Sequence, residues 1–193
     1  MLPDHNKIER YLTPAETSRL LTALENCKST IVPDVIELLI LTGARMGEAL
    51  NAKWKDVDSD HALWTVPLSK SGKPRYIPLS KAALNVIERR RGNNSDYIFP
   101  NPESDRPLKS FHWTWDRIRK RADIPDVRIH DLRHNFASIL VNHGRSLYEV
   151  QKLLGHANIS TTQRYAHLSQ DTLKEATEIV SLSIESDSDV KDK

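Results

Sequence analysis

Apolar residues recur at three- and four-residue spacing over most of the chain and alternate in one region only. That pattern predicts an α+β protein, mainly α-helical, with a small antiparallel β-sheet or hairpin. The first stripe is Leu20, Leu21, Leu24 and Cys27, preceded by Thr13 as a cap, Pro14 in the first turn and Glu16 closing a capping box. A second helix begins near Pro33, is apolar almost all round through Leu41 and stops at Gly43, as expected of an element in the middle of a core. Trp64, Val66 and Leu68 alternate, and Ile77 and Leu79 alternate on the way back from a turn at 69–72, which predicts a hairpin with Lys70 at its tip. Residues 56–57 are a candidate third strand. Residues 82–91 read as a helix with Leu84 and Ile87 inward, and 92–107 as loop around a short strand at 97–99. Ser110 is the expected cap of a helix that runs to Ala122 on Phe111, Trp115 and Ile118.

The stretch 130–165 is the most informative. Leu132, Phe136, Ile139 and Leu140 make the expected core stripe of one helix, and His130, Arg133 and Ala137 fall on an adjacent face able to line a cleft. Asp131 in its first turn suits the positive end of the helix dipole, and Gly144 ends it. Ser146 and Glu149 form a capping box for the next helix, whose Leu147, Val150, Leu153 and Leu154 face inward until Gly155. His156 then stands just past a helix end. Ser160, Thr161 and Thr162 are candidate caps for a third helix carrying Arg164, Tyr165 and His167. A last helix is expected at 171–182, on Leu173, Ala176, Ile179 and Val180, followed by a disordered charged tail at 183–193. Residues 1–11 read as a leader or linker, leaving one domain over 12–182.

Composition narrows the function classes. A chain of 193 residues can bury a substantial core. One cysteine, Cys27, allows neither an intramolecular disulfide nor a cysteine-based zinc site. The longest apolar patch is far shorter than the ~20 residues that span a bilayer, so a cytoplasmic protein is expected. The net charge of +2 is mild, yet 28 Lys and Arg can still gather on one face, as the runs at 89–91 and 117–121 suggest.

Each candidate residue has a structural reading beside a chemical one. Arg45 emerges from the buried second helix with Glu48 three residues on, so the pair is either a structural salt bridge or an oriented phosphate-binding fork. Lys70 is either a solubilising tip or a mobile cation that reaches a neighbouring site. His156 can be a solvated helix-end histidine, Tyr165 a half-buried aromatic, and His134 a core histidine satisfied by a carbonyl. Taken together they suit one reaction, attack of a tyrosine hydroxyl on a phosphodiester. Two arginines stay charged and bind phosphate oxygens in a planar fork, while a tyrosine of pKa ~10 needs a base and a stabilised developing charge.

The segments LTGARMGEAL, SKSGKPRYIPL, HDLRH, LLGH and TTQRYAH, in this order, resemble the catalytic domain of the tyrosine recombinase (phage integrase) family over about 11–182. The resemblance implies that family's fold, with Arg45 and Arg133 as the arginine pair, Lys70 as the hairpin lysine, His130 and His156 as the two histidines and Tyr165 as the nucleophile. Glu48, Asp131 and His134 match supporting positions. It further implies site-specific DNA strand cleavage and rejoining through a 3′-phosphotyrosine, without metal, ATP or other cofactor, on double-stranded DNA and by a homotetramer. His130 is the expected base and Lys70 the expected acid toward the leaving 5′-oxygen. Residues 1–11 are too few for the family's usual N-terminal core-binding domain, which is therefore not expected within this chain. Rival readings are a type IB topoisomerase, a non-catalytic helix-turn-helix DNA binder over 146–168, and a metal-dependent phosphohydrolase using the His130-Asp131 pair.

Overall fold

The computed structural model describes residues 10–67 and 74–169. Helices α1 (Pro14–Glu25), α2 (Val32–Thr42) and α3 (Met46–Leu50) lead into strands β1 (Val57–Asp58), β2 (Leu63–Val66) and β3 (Arg75–Pro78). Then follow α4 (Lys81–Glu88), α5 (His112–Arg121), α6 (Ile129–Asn142), α7 (Leu147–Leu154), α8 (Ser160–Gln163) and a 3-10 turn, Ala166–Ser169. The three strands form one antiparallel sheet in the order β1-β2-β3, with Trp64 opposite Ile77 and Val66 opposite Arg75.

The helix α2 is the centre of the molecule because nearly every side of it is apolar. Val35, Ile36, Leu38 and Leu39 are all buried, and α3, α4 and α6 pack around them. Gly43 terminates it in the left-handed region, at φ 61°. A Cβ there would come within 2.5 Å of the Phe136 ring, so the glycine also lets α6 approach. α1 starts as its capping box predicts, with Thr13 accepting from Glu16 N–H and Glu16 returning to Thr13 N–H. Ahead of it the chain is already docked. Arg10 pairs with Glu16 and Asp126, and Leu12 N–H donates to the buried Asn135 side chain.

Several expectations need correction. α4 begins at Lys81 because Ser80 accepts from Ala83 N–H, and it ends at Glu88. Phe111, not Ser110, occupies the cap position of α5. The strand expected at 97–99 is a single bridge between Tyr97 and Lys53. Ile139 of α6 is 45% exposed, while Arg133, Asn135 and Ser138 are buried. The helix is enclosed by α2 on one side and by α7 and the last 3-10 turn on another, so its polar face is covered as well as its apolar one. The third helix expected after His156 is short. α8 closes at Gln163, its start is capped by Asn158, which accepts from Ser160 N–H at 3.2 Å, rather than by Ser160, Thr161 or Thr162, and Tyr165 sits between it and the 3-10 turn. Lys70 and the helix expected at 171–182 lie outside the described residues.

A second, smaller apolar cluster joins Ala137 and Val141 of α6 to Val150 and Leu154 of α7, and the ring of Tyr165 completes it. The tyrosine is 1% exposed, so its position is fixed by packing rather than by the short helix before it.

Candidate active site

The sharp turn at Gly43 sends the chain out of the core and puts Arg45 at the start of α3. The Glu48 carboxylate accepts from Arg45 N–H at 2.8 Å and from its guanidinium at 2.8 Å. It also accepts from Arg75 of β3 at 2.6 Å. Burial works to raise the Glu48 pKa, but the Arg75 charge and the Arg45 hydrogen bonds outweigh it, and the carboxyl stays below its ordinary range. The structural reading of the Arg45-Glu48 pair is therefore correct as far as it goes. It leaves the rest of the Arg45 fork directed at a cavity.

Arg75 is a buried contributor to the site's electrostatics that sequence reasoning passed over. It is 5% exposed, and its second terminal nitrogen donates to the Leu153 carbonyl at 2.6 Å. Gly155 makes this possible. Its φ is 62°, and a Cβ on it would lie 2.4 Å from Arg75 Cδ. Gly155→Ala is thus expected to destabilise the fold by about 2–4 kcal/mol, from backbone strain plus a clash against a buried guanidinium. Urea unfolding measures this, and an unchanged midpoint would contradict the packing described.

Arg133, from the second turn of α6, is 4% exposed and donates to the carbonyls of Gly43 at 2.7 Å and Leu154 at 2.5 Å. These are the carbonyls of the cap residue of α2 and of the last residue of α7, so two helix C-terminal ends hold the buried charge where no carboxylate does. Burial, then Arg45 and Arg75, push its pKa down to about 9. At neutral pH the guanidinium is still protonated, and the direction of the shift marks a buried site with excess positive charge that favours an anion.

The cavity between these groups has a volume of about 220 Å³ and is lined by Arg45, Arg133, Arg164, His130, His134, His156, Thr161 and Tyr165. No carboxylate is among those lining residues. His156, just past α7 as expected, has Nδ1 2.9 Å from the Thr162 hydroxyl. With Nδ1 accepting from that hydroxyl, Nε2–H is the ring donor left for a ligand. Burial first, then Arg133 and Arg45, lower the His156 pKa to about 4. Asp131 accepts from Arg128 N–H at 2.8 Å and from its guanidinium at 2.7 Å, which fixes the start of α6.

The Tyr165 hydroxyl lies 2.6 Å from Nδ1 of His134. His130, the expected base, instead meets the His134 ring edge to face, at 4.9 Å between centroids. Partial burial and Arg133 lower the His130 pKa, and burial, His130 and Arg164 lower that of His134 to about 4. Among the described residues no group of three or more His, Cys, Asp or Glu is arranged to hold a metal ion.

These histidines link stability to pH. His134 and His156 stay neutral in the folded protein down to about 4, whereas unfolded they take up protons near ~6.5. Between those values the unfolded state binds more protons, so their contribution is complete above the unfolded pKa and lost as pH falls through the folded one. The urea midpoint is expected to be lower at about pH 4.5 than at about pH 7.5, with a smaller difference in His156→Asn. An equal pH difference in the two proteins would refute the assignment for His156.

Beside this cavity, and sharing Arg133 and His130 with it, a groove of about 680 Å³ runs between α5 and the start of α6. Arg119, Arg128 and His112 line it, and Trp113, 89% exposed, stands on it.

The sequence profile described as the phage integrase family matches residues 10–172. The tyrosine recombinase XerC of Staphylococcus epidermidis is 36% identical over 186 residues, covering 88% of this chain and 62% of that protein. The tyrosine recombinase XerA of Pyrococcus horikoshii is 34% identical over 179 residues, covering 89% of this chain and 61% of that one. The chain thus spans about 62% of the length of the curated relatives it matches. Among solved structures, the catalytic domain of bacteriophage HP1 integrase is 26% identical with a TM-score of 0.69, over 90% of this chain and 96% of that one. The crystal structure of XerA recombinase also gives a TM-score of 0.69, at 28% identity over 86% of this chain and 63% of that one.

Proposed function

We propose, for a chain that belongs to the phage integrase family, that it cleaves and rejoins DNA strands through a tyrosine-linked intermediate in site-specific recombination. One observation carries this reading: a tyrosine hydroxyl and three arginines line a single cavity, and no carboxylate lines it with them.

The arrangement meets the needs of a phosphodiester in transesterification. A five-coordinate phosphorus gathers negative charge on its equatorial oxygens, and Arg45, Arg133 and the Nε2–H of His156 are positioned to donate to them. Tyr165 oxygen attacks phosphorus, the bond to the 5′-oxygen breaks, and Lys70, the acid the family resemblance implies, supplies the proton that oxygen needs. The products are a 3′-phosphotyrosine and a 5′-hydroxyl. Attack by a 5′-hydroxyl of another strand reverses the step with no net loss of bond energy, so neither ATP nor a metal is required. Recombination would join two duplexes in a homotetramer. The basic groove with Trp113 supports a duplex lying across the cavity, its phosphates met by Arg119 and Arg128.

The test is cleavage of a nicked duplex, drawn from a pool of random-arm half-sites, in excess EDTA. Undiminished release of a 5′-hydroxyl strand is expected. Cleavage that requires added divalent metal would instead favour a phosphohydrolase.

A further inference from the structure

Resting on the phosphotyrosine reading above, we infer that His134, rather than His130, takes the proton from Tyr165 during cleavage and returns it during rejoining. The geometry is direct. His134 Nδ1 lies 2.6 Å from the Tyr165 hydroxyl. The two rings are tilted by 49° at 6.1 Å between centroids, which leaves the hydroxyl in contact with a ring nitrogen and not with the face of the imidazole. His130 lies one helical turn earlier on α6, with its ring against that of His134. His134 therefore stands between the expected base and the nucleophile.

Only an unprotonated imidazole nitrogen can accept the phenolic hydrogen. The groups around His134 keep it in that state. Burial acts first, and of the charged groups around it, His130 and Asp131 on α6, Arg128 just before that helix and Arg164 on the segment carrying Tyr165, all but Asp131 disfavour a proton there. A DNA phosphate entering the cavity adds negative charge to this cluster, which raises the proton affinity of the imidazole when it is needed. Arg133 stabilises the developing phenolate, since the charges of Arg133 and Tyr165 attract.

The step balances. The Tyr165 O–H bond breaks and its proton goes to Nδ1, giving an imidazolium. The phenolate oxygen bonds to phosphorus, and the 5′-oxygen leaves with a proton from the acid. In rejoining, the imidazolium returns the proton to the departing Tyr165 oxygen, while the acid, now deprotonated, takes the proton of the attacking 5′-hydroxyl.

The test is single-turnover formation of the covalent adduct on saturating nicked duplex, selected by the wild-type protein from random-arm half-sites. His134→Ala and His134→Asn are compared with Lys70→Ala and Tyr165→Phe. Asparagine keeps a hydrogen-bond acceptor near the hydroxyl but cannot hold the proton. Both His134 variants are expected to be ~10²–10⁴-fold slower with DNA affinity retained, and the deficit is expected to shrink as pH rises toward the phenol pKa. A 5′-bridging phosphorothiolate, whose leaving group needs no acid, should restore Lys70→Ala and leave the His134 variants slow. A wild-type rate in His134→Asn would reduce His134 to a holder of the hydroxyl, and a faster rate in His134→Ala would make it a latch. Either result overturns the inference. An adduct formed by Tyr165→Phe would overturn the underlying reading instead.

Discussion

Tyr165→Phe is expected to bind DNA as the wild-type protein does and to form no covalent adduct at all. The substitution removes one oxygen and leaves the ring. That ring is what fills the cluster of Ala137, Val141, Val150 and Leu154, so the local packing survives. The lost hydrogen bond to His134 costs about 1 kcal/mol, too little to unfold the domain. Among the described residues Thr161 is the other hydroxyl-bearing residue lining the cavity, and it is itself exposed, where Tyr165 is held by packing. Adduct on a denaturing gel, set beside DNA retention on a native gel, checks this result. Residual adduct would mean that a different residue attacks.

Arg133→Ala is the second large effect. Its guanidinium carries positive charge to the cavity floor without a carboxylate partner, held by the carbonyls of Gly43 and Leu154. Removing it deletes donors whose value is greatest when the phosphorane charge develops, and the adduct rate is expected to fall ~10²–10³-fold. The stability change has two opposing parts. Two helix-end carbonyls lose their donor, at about 1–3 kcal/mol each at most, while repulsion from Arg45 and Arg75 is relieved. Catalysis should therefore suffer more than folding. Arg133→Lys keeps the charge but not the fork, and it is expected to remain slow. Single-turnover rates with urea midpoints on the same samples separate the two effects. A variant that loses stability but cleaves at the wild-type rate would assign Arg133 a structural role only.

Much of this site was legible in the chain, residue by residue. Gly43 was read as the end of an apolar helix, and the same turn delivers Arg45 to the cavity. The Ser146-Glu149 box and Gly155 fixed both ends of α7, and with them the place of His156. Arg75 shows what was missed and how it might be found. Strand alternation already put it on the same side as Ile77 and Leu79, and an inward arginine requires a buried acceptor, which Glu48 provides. His134 was harder. The four-residue spacing puts it beside His130, but which of them reaches Tyr165 depends on how the 3-10 turn after α8 docks on α6, a contact distant in sequence. Ile139 was misjudged for a related reason. Burial of Asn135 follows from docking of Leu12, 123 residues away in sequence, which no window along α6 reveals.

The central claim is that Tyr165 becomes joined to DNA. It is tested most directly by trapping the wild-type adduct in EDTA, digesting protein and DNA, and finding by mass spectrometry which peptide carries a 3′-linked nucleotide. The account predicts the peptide containing Tyr165, modified on its phenolic oxygen. A nucleotide on any other residue, or an adduct that forms only with added metal, would contradict it.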